Sequence, residues 1–139
     1  MHKASVWMIR SSLVYFVLGI SFGALMLLQK AFPFDAGIWQ GLPVHVELLL
    51  FGWMLQLVLG VAYWMFPRLL EGADRGWPAG IWWIYGLFNG GIVVNLAAIA
   101  RGLAGMEGTL AGRGMQLAAI VLFISLHWKR VVSYRSREA

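Results

Sequence analysis

Apolar residues in this chain gather into four long runs, about Ser11 to Leu28, Val44 to Phe66, Gly80 to Ala100 and Leu110 to Leu126, separated by short polar or Gly/Pro-bearing segments. Each run approaches the roughly 20 residues that an α-helix needs to cross about 30 Å of hydrocarbon. None carries the broad charged face of a helix that meets water, which argues against a cytosolic bundle. The pattern predicts an all-α fold: an integral membrane bundle of four transmembrane helices, a single domain over residues 1–139. The first run follows Lys3 and Arg10, but its apolar core is longer than that of a secretory signal and no small-x-small cleavage site follows. A retained helix is expected there.

Composition sharpens this. Of 139 residues, 60% are hydrophobic and only 12% charged, far from a soluble domain's balance. Little chain lies outside the runs, so function is expected in the bundle or on its loops. With no cysteine, disulfides, thiolate metal sites, iron–sulfur clusters and covalent haem attachment are excluded. A metal would be held by histidine, methionine, carboxylate or tyrosine.

The net charge of +5 has the distribution of a topology signal and not of a nucleic-acid surface. With four spans, one side holds Lys3, Arg10, Arg68, Arg75, Lys129, Arg130, Arg135 and Arg137, whereas the other holds Lys30, Arg101 and Arg113. The positive-inside rule then puts both termini in the cytoplasm; the expected location is a bacterial cytoplasmic (inner) membrane. The basic tail from His127 to Arg137 is expected among anionic headgroups.

Two Gly-x-x-x-Gly pairs, Gly19 with Gly23 and Gly86 with Gly90, predict close helix packing. Pro43 suits the first turn of span two and Pro67 its end. Most tryptophans sit near span ends, as the interfacial belt requires, and Trp53 alone sits near mid-span.

Span two, Pro43-Val44-His45-Val46-Glu47 through Tyr63 and Phe66-Pro67-Arg68, carries more polar and small residues than crossing a membrane demands. At about 100° per residue from His45, Gly52 falls at about −20°, Gln56 at about +20°, Gly60 at about +60°, Tyr63 at about 0° and Glu47 at about 200°. His45, Gly52, Gln56, Gly60 and Tyr63 therefore form one stripe. It must face the bundle interior or another subunit, because these polar groups would lack partners in lipid. Its glycines are expected to leave room beside the imidazole for a flat cofactor. Glu47, on the opposite side in the outer first turn, is expected to reach water or to pair with Arg101 or Arg113.

A histidine at the outer end of the span (His45), a glycine fifteen residues on (Gly60) and an aromatic-Pro exit (Phe66-Pro67) resemble the second transmembrane helix of haem-copper oxidase subunit I. They are also similar to NnrS-type haem membrane proteins. The resemblance covers spans one and two, roughly the first half of the chain. It implies that His45 is an axial ligand of a low-spin haem near the periplasmic face, the side on which the charge distribution also places it. Later-helix histidines of the oxidases have no counterpart among the three histidines here, so a binuclear copper centre and complete oxygen reduction are not expected. His127 emerges at the cytoplasmic end and cannot share an iron with His45; His2 is terminal.

The resemblance implies haem b, non-covalently held, with Gly52, Trp53, Gln56, Gly60 and Tyr63 beside it. Arg101 and Arg113 lie at a depth suited to its propionates. A second axial ligand could be His45 of a second copy in a homodimer, or Met26 or Met115; alternatively the iron is five-coordinate. Asn89, Asn95 and Gln116 are expected to bond between helices or to reach His45. The expected activity is electron transfer or haem-linked redox or gas sensing, with a quinone or a periplasmic redox protein as partner. The alternative is a haem-free accessory or structural subunit of a respiratory complex.

Overall fold

The computed structural model describes residues 3–66, 77–102 and 106–130. His2, Pro67, Arg68, Glu71, Asp74, Arg75, Arg135 and Arg137, which entered the charge and span-end expectations, lie outside the described residues.

Helix α1 runs over Lys3–Ala31. Its 29 residues extend about 44 Å at 1.5 Å per residue, more than the hydrocarbon thickness. Apolarity marks only the part within hydrocarbon, so the helix begins before Ser11. Gln29 closes the turn that follows: its Oε1 accepts from the backbone N–H groups of Phe34 at 2.9 Å and Asp35 at 2.8 Å. The Asp35 side chain in turn caps a 3-10 turn over Ala36–Gly41 by accepting from Gly37 N.

Span two is continuous but not uniform. It comprises α2 (Leu42–Val46), a π-helical segment (Glu47–Leu55) and α3 (Gln56–Met65). Pro43 occupies the first turn of α2, where no N–H is needed. Phe66 is extended, with ψ 134°, as expected of a residue that precedes proline. Helix α4 (Pro78–Ala100) ends at Gly102, whose φ of 76° suits glycine and turns the chain. Helix α5 (Met106–His127) continues into a 3-10 turn over Trp128–Arg130. Four of these helical stretches, Lys3–Ala31, Ala36–Met65, Ala79–Ala100 and Gly108–His127, are long and apolar enough to cross a membrane. The described residues contain no strand.

The spans pack as two antiparallel pairs. In the first, α1 lies along span two: Ser5 Oγ donates to Gly60 O at 2.7 Å, and Gly19 and Gly23 meet Leu49 and His45. In the second, α4 lies along α5, and the backbones touch where Gly91 faces Gly112. An apolar core of Met8, Leu59, Ile84, Phe88, Ile92 and Phe123 joins the pairs. Polar ties reinforce it: Tyr15 donates to Asn89 Oδ1 at 2.9 Å, and buried Arg130 donates to Phe66 O at 2.8 Å.

Candidate functional site

The polar residues of span two divide between two environments. On one face, His45 leans against α1. Its Nδ1 lies 2.8 Å from the carbonyl oxygen of Gly19. A carbonyl only accepts, so Nδ1 carries a proton, and in a neutral imidazole Nε2 then keeps its lone pair. The ring lies over Gly23, where a Cβ would come within 2.7 Å of Cε1. Nε2 makes no hydrogen bond within the described residues. The half-buried imidazole borders a shallow apolar depression of about 310 Å³ with Val46, Leu49, Leu50, Trp53 and Met54. Trp53 is backed by Phe16 of α1, with ring centroids 4.4 Å apart.

Through Gly60 the rest of the stripe also faces α1, and the room expected beside its glycines is filled from within the chain. Tyr15 packs onto Gly52, and Met8 and Ile9 onto Gly60. Gln56 Nε2 donates to Met8 O at 3.2 Å and to Ser11 Oγ. Tyr63 lies at the far end of the span against His127, with ring centroids 5.3 Å apart. His127 is buried, and its Nδ1 donates to Phe123 O at 2.7 Å. Tyr63 follows His45 by 18 residues, or about 27 Å of helix, so His127 is remote from His45. Its burial differs from the headgroup position expected for it, because the aromatic ends of spans two and four close around it.

On the opposite face Glu47 is wholly buried, so of the two alternatives expected for it, water or an arginine, it takes the arginine. Its Oε1 accepts from Asn95 Nδ2 at 3.1 Å and from Gln116 Nε2 at 2.6 Å. Arg113 Nη2 stands 2.7 Å from Oε2, an ion pair whose angle falls outside hydrogen-bond geometry. The same guanidinium donates to Gln116 Oε1 at 2.8 Å and lies 4.0 Å above the Phe51 ring. Of the two arginines expected near Glu47, Arg113 is the one engaged, and exposed Arg101 caps α4. Asn95 and Gln116 hold Glu47 and not His45; Asn89 joins Tyr15 to the Tyr85 carbonyl. Met26 is buried in α1, and the Met115 thioether methyl rests near Gly90 of α4. No three His, Asp or Glu side chains cluster as a metal site among the described residues.

Residues 3–134 match the family described as Cytochrome C and Quinol oxidase polypeptide I. The chain belongs to that family. The likeness read on spans one and two thus extends through all four. No curated protein and no solved structure matches the chain. Membership in the oxidase polypeptide I family implies haem-type cofactors in general. One side of the His45 site fits such a group: an imidazole with its lone-pair nitrogen unbonded, an orienting carbonyl behind it, and an apolar wall beside it.

Proposed function

We propose that this membrane protein of the oxidase polypeptide I family binds haem b, with His45 Nε2 as one axial ligand, and serves electron transfer or haem-linked redox or gas sensing. The observation that carries this reading is the bond between His45 Nδ1 and the Gly19 carbonyl, which leaves Nε2 as the nitrogen free to coordinate, on a residue that borders the apolar depression. When bound, the group would supply one-electron exchange or gas coordination. The chain's part is ligation, burial and electrostatics. Trp53 and Leu49 would form a wall, and exposed Arg101 is the freer propionate partner, because Arg113 is committed to Glu47.

The depression lies on the outer flank of span two, and the inner stripe is occupied by α1. This favours completion of the site by a second copy, each His45 giving one ligand at equal depth, over ligation by Met115, which packs against α4. The same charge asymmetry that argues for cytoplasmic termini in a bacterial inner membrane puts His45 near the periplasmic side. A quinone or a periplasmic redox protein would be the partner there.

The test is the colour of the purified protein. A Soret band with sharp α and β bands on reduction, lost in His45→Ala, is the expected result, with one haem per two chains if the dimer shares it. A preparation that stays colourless after haem supplementation overturns the reading. That outcome would favour a haem-free accessory subunit, a second reading supported by the packing of Tyr15 and Met8 into the glycines of span two.

A further inference from the structure

His45 is held by two groups on α1 that stand one helical turn apart on the same face, and each governs a different property of the ring. The Gly19 carbonyl, 2.8 Å from Nδ1, determines where the imidazole proton resides. Gly23 determines where the ring lies. A Cβ there would stand 2.7 Å from Cε1, 3.2 Å from Nδ1 and 3.6 Å from Nε2. The first two are closer than real Cβ atoms comfortably approach a ring. The ring therefore turns its Nδ1–Cε1–Nε2 edge toward Gly23.

We propose that Gly19 and Gly23 are positioning residues for the ligand nitrogen, and that span one thereby selects the His45 tautomer competent to coordinate a metal. The inference rests on the reading of His45 as a haem ligand, but its core concerns the imidazole alone. An imidazole carrying its proton on Nε2 has no lone pair there to give. A helical carbonyl has a second lone pair beyond the one used within the helix, and Gly19 offers it to Nδ1–H. The absence of a side chain at Gly23 lets the ring approach closely enough to use it. The pair does more than draw two helices together, since its contacts on span two are Leu48 and Leu49 for Gly19 and the imidazole itself for Gly23. A carbonyl bonded to the distal nitrogen also makes the coordinating one a stronger electron donor to ferric iron.

The experiment is 15N NMR of histidine-labelled protein in lipid without haem, with His45 assigned by its loss in His45→Ala, followed by haem titration of the same samples. The wild type is expected to show a protonated Nδ1 and an unprotonated Nε2. Gly23→Ala should displace the ring, populate the other tautomer, weaken haem binding by about 10- to 100-fold and raise the midpoint potential of what binds. Gly86→Ala serves as the control, because a Cβ there meets nothing within 4 Å; it should leave every His45 signal unchanged. A wild type with its proton on Nε2 would overturn the proposal even if Gly23→Ala failed to fold. So would a folded Gly23→Ala that keeps the wild-type tautomer and haem affinity. If the wild type shows the expected tautomer but takes up no haem, the cofactor reading fails while the role of α1 in fixing the ring stands.

Discussion

At Glu47 a wholly buried carboxylate meets a guanidinium whose side chain is 39% exposed, and this inequality predicts unequal mutational costs. Arg113→Ala would leave the carboxylate among apolar helices with only the amides of Asn95 and Gln116. We expect a loss of about 3 kcal/mol, the low end for breaking a buried pair because the arginine is partly exposed. Glu47→Gln should cost under about 1 kcal/mol, since an amide oxygen still accepts from Gln116 and the freed arginine can extend toward the headgroups. Unfolding of both variants in detergent, followed by circular dichroism, reads the difference; equal losses would contradict this account. The sequence pointed to Glu47 pairing with Arg101 or Arg113. It did not reveal the burial, because a helical projection tells which side of span two a residue occupies but not which helix covers that side.

Glycines show the same division at the scale of helices. The Gly19/Gly23 pair packs α1 on span two as the spacing predicts, but Gly86 faces open space. The closest approach of α4 to α5 lies instead at Gly91 and Gly112, where a Cβ on either glycine would stand 2.6 Å from the other's carbonyl oxygen. Gly91→Ala should therefore force the two backbones apart and destabilise the bundle by about 1–3 kcal/mol, as overpacking does. Gly86→Ala should be neutral or slightly stabilising, by up to about 1 kcal/mol, from helix propensity. Thermal unfolding in detergent distinguishes them. The spans themselves were legible from apolar length, and the place of Pro43 in the first turn of span two from backbone chemistry. The π-helical segment over Glu47–Leu55 was not, because apolar runs carry no mark of which carbonyl each N–H will choose. The stripe from His45 to Gly60 nevertheless stays on one helix, α1, as the 100° projection requires.

For the whole molecule, the charge distribution predicts an orientation in the membrane, and the absence of cysteine makes it simple to test. Single-cysteine variants at Lys3 and Asp35 should react with a membrane-impermeant thiol reagent from opposite sides, Asp35→Cys from the periplasm in intact cells and Lys3→Cys only after lysis. The reverse pattern would place His45 near the cytoplasm and remove periplasmic partners from consideration. Two arginines counted for the charge rule turn out to be structural as well: Arg130 closes the end of span two, and Arg113 neutralises Glu47. By itself the sequence determined that four helices are long and apolar enough to cross a membrane, that span two carries the candidate ligand, and that His127 lies too far along the bundle to meet it. Those properties depend on the length, order and spacing of residues along one helix axis. Only the tertiary structure decided that α1 fills the glycine gaps, that Asn95 and Gln116 serve Glu47, and that His45 turns its Nδ1 to the Gly19 carbonyl. Each of those depends on the rotation of one helix against its neighbour, which is set by side chains packing together from different spans.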